Sequence, residues 1–470
     1  MERGHKMENK MIMKGKYAVA QIMVSEIEES TRNQIQTFLN CPVFKDCIIR
    51  IMPDCHAGNG AVIGFTSTRN GYIIPNLVGV DIACGIETYK IGNLDELKTA
   101  NPNLFLDLDN FIKANIPFGT AINDPNKMGH KIESYLKPKR CLDKNYLKKI
   151  LCAKPFDFYG YSSIDEERII KDIDDCFANP DLYREPFHEL TMFLFDKMYE
   201  LGEKVTGNPN YWKERGRLSL GSLGGGNHFI ELDTDPDNNV WLSIHSGSRH
   251  FGNIVAQYHQ DKAKNLISKF FVDMAAFKDL EFLPLDLGGQ EYLDDMELIQ
   301  QYALMNRSMM AYTIIKGFFG MEEPLDVIKT MHNYINFDDN IIRKGAISAY
   351  EGERVIIPIA MDTGAIIGTG KGNKTWNNSA PHGAGRIMSR NEARKTFTLE
   401  QHVKSMEGIW SSCINMSTID ETGGAYKSMD LIVNAITDTV RIDYIQKPVY
   451  VFKDNKPDKD KTEEEKALSI

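Results

Sequence analysis

Asp81 and Cys84 stand three residues apart in the segment VGVDIACG. At that spacing a carboxylate and a thiolate can point to one side of a helical turn or tight loop and share a cation. The same pair can equally be a turn cap beside a buried thiol. A second segment, GSLGGGNHFIEL, sets Asn227, His228, Phe229 and Glu231 directly after three consecutive glycines, which let backbone N–H groups approach a phosphate. If Asn227 to Glu231 is extended, Asn227 and Glu231 share one face and His228 points to the other, so that one strand could serve a nucleotide and a metal together. Farther on, IHSGSRH supplies His245 at the end of a β-like run, with Arg249 four residues later as a phosphate fork. His332 sits in TMHNY, and SAPHGAGRIMSR places His382 among small residues, followed by Arg386 and Arg390 at steps of four. The two arginines stack on one face if a helix begins there. A sterically open histidine beside two guanidiniums suits a nucleophile attacking a phosphate whose oxygens the arginines neutralise.

Apart from His332, these residues lie at 52–88, 219–253 and 359–390, so distant pieces of one chain must assemble the site. Short β-like runs at 47–51, 240–244, 354–357 and 449–452 alternate with helical patterns. The clearest helix joins Leu298, Tyr302, Met305, Met309, Tyr312 and Ile315 on one apolar face, whose methionines read as core filling. Other helices are expected over about 254–274 and 185–201. The mixture indicates α+β rather than strict βαβ alternation. Residues 100–215, rich in Lys, Asp, Asn and Pro, read as a mostly helical elaboration within a single catalytic domain spanning 1–453, and 454–470 as a charged, solvated tail.

The balance of 55 Lys+Arg against 65 Asp+Glu gives a net charge of −10, so no overall basic field draws the protein toward polyanions. Eight cysteines are too dilute for a disulfide scaffold and form no C-x-x-C pair. The sequence contains no apolar run near the ~18 residues of a membrane span, and its first residues lack the apolar core of a signal peptide. A cytoplasmic location without membrane association is expected.

The segments MPDCHAGNGAVIG, VGVDIACG, GSLGGGNHFIEL, IHSGSRHFGN and SAPHGAGRIMSR, in this order, resemble the RtcB family of GTP- and manganese-dependent RNA ligases, over about residues 15–453. The resemblance implies an RtcB-like α+β fold, with central β-sheets flanked by helices. It implies two Mn²⁺ ions bridged by Cys84, with Asp81 and His228 on one and His245 and His332 on the other. His382 would take GMP from GTP. Asn227, Arg249, Arg386 and Arg390 would face phosphates. Phe229, Glu231, Ala384, Gly385, Arg386, Tyr426 and Lys453 would hold the nucleotide, and Lys344 would contact RNA phosphate. The implied substrates are RNA with a 3′-phosphate or 2′,3′-cyclic phosphate and RNA with a 5′-hydroxyl, in RNA repair or tRNA splicing. Nothing in the sequence identifies an activating protein partner. A metal-dependent phosphoesterase or nuclease using the same cations is the alternative, and the histidine nucleophile is what separates the two. The chain departs from the family's usual Pro-Gly-Ser-Met-Gly at Pro358-Ile359-Ala360-Met361-Asp362, where Ile359 and Asp362 add volume and negative charge beside the nucleotide loop. Asn59 replaces a usual lysine, and Ala83 the usual glycine before the cysteine.

Overall fold

The structure, a computed structural model, describes residues 10–135, 184–270 and 277–455, with isolated positions at 144, 146–148, 171, 173–175, 177 and 274. Most of 136–183 within the expected elaboration, and 456–470 of the expected tail, lie outside the described residues.

The fold is α+β. Its first strands are β1 (Met11–Lys14), β2 (Val19–Ile22), β3 (Ile49–His56), β4 (Ile63–Thr68), β5 (Tyr72–Ile73) and β6 (Gly85–Asn93). The middle of the chain adds β7 (Phe229–Thr234), β8 (Asn239–Ser246), β9 (Leu283–Pro284), β10 (Asp326–Met331), β11 (Tyr334–Ile335) and β12 (Ile341–Lys344). The last are β13 (Ala346–Ser348), β14 (Arg354–Ala360), β15 (Gly364–Gly370), β16 (Ser379–Pro381) and β17 (Val440–Phe452). Among the described residues they form a six-stranded sheet, β1-β2-β3-β4-β12-β11, a seven-stranded sheet, β10-β6-β8-β7-β17-β15-β14, and the pairs β13-β16 and β5-β9.

The helices used below are α1 (Glu29–Leu39), α2 (Leu94–Ala100), α3 (Leu104–Asn115), α4 (Pro125–Tyr135), α5 (Arg184–Thr206), α6 (Arg249–Phe270), α7 (Gly289–Gly317) and α8 (Arg390–Thr396). Helix α6 starts five residues before the expected 254, and Phe251 of its first turn is buried on the same face as Val255. Helix α7 carries the expected apolar face, and all six of its residues are buried. Its opposite side is buried too, so it runs as a central rod between the seven-stranded sheet and helices α4 and α6. An ion-pair cluster locks α5, α6 and α7 together: Lys204 and His259 both reach Asp295, at 2.5 and 2.7 Å, and Lys204 and Lys262 also hold Glu291.

In the segment Met52 to Gly60, the first five residues are strand. β3 continues through His56, and Pro53 is tolerated because the pairing with β4 shifts register between Ile51 and His56, where no ladder bond is required of it. This places Asp54 on a rigid element.

Candidate active site

Order and register in the seven-stranded sheet assemble the metal-capable residues. β10, β6, β8 and β7 are consecutive antiparallel neighbours. Met331 pairs with Gly85, Ile86 with His245, and His245 with Phe229. Hence Cys84 and His228, just before their strands, His332, just after its own, and His245, near the end of β8, emerge at one end of four adjacent strands. The backbone N–H of His332 donates to the Cys84 carbonyl at 2.7 Å, closing the group.

Two triads result, Asp81–Cys84–His228 and Cys84–His245–His332, each with candidate ligand atoms within 4.8 Å of one another, and Cys84 belongs to both. Cys84 Sγ lies 3.5 Å from His228 Nε2 and 3.2 Å from His245 Nε2. Asp81 Oδ2 lies 3.0 Å from His228 Nε2, and the Nε2 atoms of His245 and His332 are 3.4 Å apart. His228 Nδ1 faces the Leu223 carbonyl at 2.9 Å, and His245 Nδ1 faces that of Asn227 at 3.2 Å. A carbonyl only accepts, so each Nδ1 must carry a proton, which leaves Nε2 as the atom each ring would present to a metal. Burial and neighbouring imidazoles push His245 and His332 well below the usual histidine range, which keeps both neutral. Burial raises the Asp81 carboxyl, but the His228 hydrogen bond and charge outweigh it and bring it down to about 2. Burial, then Asp81, raises the Cys84 thiol. Imidazole nitrogens, a carboxylate and one shared sulfur, converging at one place, fit a pair of divalent cations, one of which would take the place of the proton between His228 and Asp81.

Asn227 to Glu231 is not extended throughout. Gly224 and Gly226 have φ of +93° and +68°, the turn runs through Asn227, and β7 starts only at Phe229. The turn still delivers Asn227, His228, Phe229 and Glu231 to one cavity of about 590 Å³, which both triads also line.

His382 enters the cavity beside the second triad, its ring 4.7 Å from that of His332. It follows β16, which β13 fixes by pairing Pro381 with Ala346. Asp54 Oδ2 accepts from the His382 ring Nδ1 at 2.7 Å and from its backbone N–H at 3.2 Å. Asp54 is fully buried while His382 is only partly so. The carboxylate therefore sets the tautomer and leaves Nε2 to the cavity.

The candidate nucleotide residues form the adjoining wall. Lys453 lies 6.0 Å over the Phe229 ring and 2.8 Å from Glu421 Oε2, which also accepts from Tyr426 at 2.9 Å. Burial and then Asp233 raise the Glu231 carboxyl well above the usual carboxylate range. Arg386 and Arg390 do not stack along one helix. Ser389 caps α8, whose first residue is Arg390, and leaves Arg386 in the preceding turn. The two converge instead on Asp420 and Glu421: Arg390 pairs with both, at 2.7 and 2.5 Å, and Arg386 with Glu421 at 3.6 Å. Ala384 and Gly385 line the same wall. Gly385, at φ +74°, admits no side chain because a Cβ would lie 2.0 Å from the Asp54 carbonyl oxygen. Arg249 donates to Ser222 Oγ and to the Gly119 carbonyl. Lys344 is buried, donating to the carbonyls of Asn59 and Asn76, and desolvation lowers it to about 7.

The departures find places here. Ile359 is a buried wall residue of the cavity. Asp362 accepts the Gly423 N–H at 3.2 Å, so it braces the turn before Tyr426. Ala83 has φ +57°, a left-handed conformation that costs a non-glycine residue about 1–2 kcal/mol. Its carbonyl accepts from Arg307 and its N–H donates to the Asn333 carbonyl. Ala83→Gly is expected to keep full metal binding, whereas Ala83→Val should cost about 3 kcal/mol and loosen Cys84. Denaturant midpoints with and without metal check both.

Sequence reasoning assigned no role to Asp54, Asn306, Arg307, Asp420 or Glu421. From the α7 rod, Asn306 holds Ser222, Ser246 and Gly247, and Arg307 holds Glu87 and the carbonyls of Ala83 and Ser246. The available signal was the polar run Asn306-Arg307-Ser308 between the apolar stretches Tyr302-Ala303-Leu304-Met305 and Met309-Met310-Ala311.

The family described as tRNA-splicing ligase RtcB matches residues 34–454. The RNA-splicing ligase RtcB of Escherichia coli (strain K12) is 28% identical over 450 residues, covering 91% of this chain and 95% of its own. The tRNA-splicing ligases RtcB of Nanoarchaeum equitans and Aeropyrum pernix are each 27% identical, covering 82% and 81% of this chain and 83% and 82% of theirs. With the motifs in order, their residues gathered in one cavity and the family matched across most of its length, the chain belongs to the RtcB family.

Proposed function

We propose that this chain is an RNA ligase of RNA repair or tRNA splicing, which joins an RNA 3′-phosphate or 2′,3′-cyclic phosphate end to a 5′-hydroxyl end with GTP and two Mn²⁺ ions. The relatives' names support RNA ligation. The observation that carries the reading is a histidine with Nδ1 fixed by a buried carboxylate and Nε2 open to the cavity, beside two triads sharing one cysteine. Hydrolysis at a two-metal site requires no such nucleophile, which disfavours a phosphoesterase. Among the described residues no helix is long and apolar enough to cross a membrane, and a cytoplasmic site of action fits an RNA substrate.

His382 Nε2 attacks the α-phosphorus of GTP. The P–N bond forms, pyrophosphate leaves, and Asp54 holds the proton on Nδ1. An oxygen of the RNA 3′-phosphate, itself released where necessary by hydrolysis of a cyclic phosphate, then attacks that phosphorus, and the P–N electron pair returns to Nε2. In the last step the 5′-hydroxyl oxygen attacks the 3′-phosphorus, GMP leaves, and the hydroxyl proton passes to solvent. Asp81, Cys84 and His228 would hold one Mn²⁺ and Cys84, His245 and His332 the other; bound there, the ions act as Lewis acids on phosphate oxygens. Phe229, Glu231, Tyr426 and Lys453 would enclose the guanine, Asn227, Arg249, Arg386 and Arg390 would meet phosphates, and Lys344 would face the RNA.

Incubation with Mn²⁺ and GTP labelled at the α-phosphate is expected to yield an acid-labile protein adduct that is lost in His382→Ala. No adduct in the unmutated, metal-loaded protein would falsify the ligase reading.

A further inference from the structure

Glu421 stands at the centre of the nucleotide wall. The short turn Ile419–Glu421 presents it and packs on α8. Its carboxylate is buried, and it lines the cavity with Tyr426, Lys453, Arg386 and Arg390. The two oxygens serve different partners. Oε2 accepts from Lys453 Nζ at 2.8 Å and from the Tyr426 hydroxyl at 2.9 Å. Oε1 accepts from Arg390 Nη1 at 2.5 Å and has Arg386 Nη1 at 3.6 Å. Lys453 and Tyr426 are candidate residues for the guanine, and the arginines are candidates for the phosphates, so a single carboxylate is shared between the two ends of the nucleotide site.

Each pair is held in a definite orientation. Arg390 spends Nη1 on Asp420 and Glu421, while its Nη2 comes beside the triple-glycine loop, 3.9 Å from where a Cβ on Gly226 would lie. Arg386 lies over the Tyr426 ring at 4.9 Å and donates to the Tyr426 hydroxyl at 3.0 Å and to the Asp420 carbonyl at 2.6 Å. Burial raises the Glu421 carboxyl, but the charges of Lys453 and Arg390 outweigh it and hold it well below the usual carboxylate range, whereas Glu231 on the same wall is raised. Glu421 is therefore the counter-charge for these cations. A carboxamide does not fill this place, because its NH₂ would meet either the Lys453 ammonium or the two guanidiniums, all of them donors.

Resting on the ligase reading above, we propose that Glu421 is a positioning residue that ties the base end of the nucleotide site to its phosphate end. Through Oε2 it sets Lys453 and Tyr426, and through Oε1 it sets Arg390 and Arg386, so that both ends grip one guanine nucleotide at a fixed spacing. It acts through these four side chains, and its effect falls on nucleotide binding rather than on formation of the P–N bond.

The experiment compares the full-length, manganese-loaded protein with Glu421→Gln and Glu421→Asp. The rate of GMP-adduct formation is measured against GTP concentration, then against two competitors at constant free Mn²⁺: guanosine, which probes the base end, and inorganic tripolyphosphate, which probes the phosphate end. For Glu421→Gln the expected result is a KM for GTP about tenfold or more higher, a rate at saturating GTP within about threefold of the unmutated protein, and weaker inhibition by both competitors. Glu421→Asp keeps the charge on a side chain one methylene shorter, which reaches one pair only, so one competitor should weaken and the other should not. This second variant decides the matter if Glu421→Gln fails to fold. An unchanged KM, a loss confined to the saturated rate, weakening of a single competitor in Glu421→Gln, or an aspartate variant equal to the unmutated protein overturns the proposal and leaves the ligase reading intact. Absence of the adduct in the unmutated protein instead removes the reading on which the proposal stands.

Discussion

Asp54→Asn is expected to slow formation of the His382–GMP adduct by a factor of about 10²–10⁴, the range seen when the carboxylate orienting a catalytic histidine becomes an amide. Asp54 Oδ2 accepts both the ring Nδ1–H and the backbone N–H of His382. An asparagine offers one acceptor and one donor. Turned with its carbonyl toward His382, it buries its NH₂ at the place of Asp54 Oδ1, which has no hydrogen-bond partner, at a cost of about 1–3 kcal/mol. Turned the other way, its NH₂ donates to Nδ1, drives the ring proton to Nε2 and removes the nucleophilic lone pair. Either outcome lowers the fraction of competent imidazole. Because Asp54 belongs to neither triad, manganese stoichiometry should be unchanged. Joining of an RNA already carrying GMP on its 3′-phosphate needs no nucleophilic histidine and should proceed near the unmutated rate. An adduct rate within about threefold of the unmutated protein would show that the Asp54 contact is only structural.

Most of the candidate ligand residues were legible because they sit in compact, chemically dense segments: Asp81 with Cys84, His228 after the glycines, His245 closing a β-like run. Their convergence was not legible, because it depends on the neighbour order β10-β6-β8-β7, which long-range pairing decides and local pattern does not encode. The turn at Gly224–Gly226 and the cap at Ser389 defeated two periodicity arguments for the same reason: one backbone excursion or one helix start resets which residues share a face. Asp54 was on view in MPDCH, yet only the fold brings it against a residue 328 positions away. Arg386 and Arg390 read as anion-binding guanidiniums, and the acidic partners that fix them, Asp420 and Glu421, lie in a segment with no histidine or cysteine to draw notice. The net charge of −10 was the least informative quantity. It averages over such buried pairs and omits any cations that the two triads would hold.

Cys84→Ser should have the broadest effect of any single substitution, because its sulfur is the one atom common to both triads. Removing Asp81 or His228 subtracts a ligand from one cation alone. Removing the sulfur leaves Asp81 with His228 and His245 with His332, two incomplete pairs. Serine does not substitute: its hydroxyl keeps its proton at neutral pH, where a metal-bound thiol loses it, and a hard alcohol oxygen bridges less readily than a thiolate. Manganese titration is therefore expected to fall from two ions to one or none at ordinary concentrations, and the His382–GMP adduct by at least about 10³-fold. Asp81→Asn should retain one ion. The fold itself should persist, since the serine hydroxyl is nearly isosteric and can donate to the Nε2 atoms of His228 or His245, which lie 3.5 and 3.2 Å from the sulfur. A thermal shift series separates loss of metal from loss of fold. Manganese should raise the melting temperature of the unmutated protein by mass action and that of Cys84→Ser little or not at all, while the two metal-free proteins melt within a few degrees of each other. Two manganese ions bound by Cys84→Ser with unaltered affinity would mean that the triads are independent sites, and the shared sulfur would lose its role as the bridge.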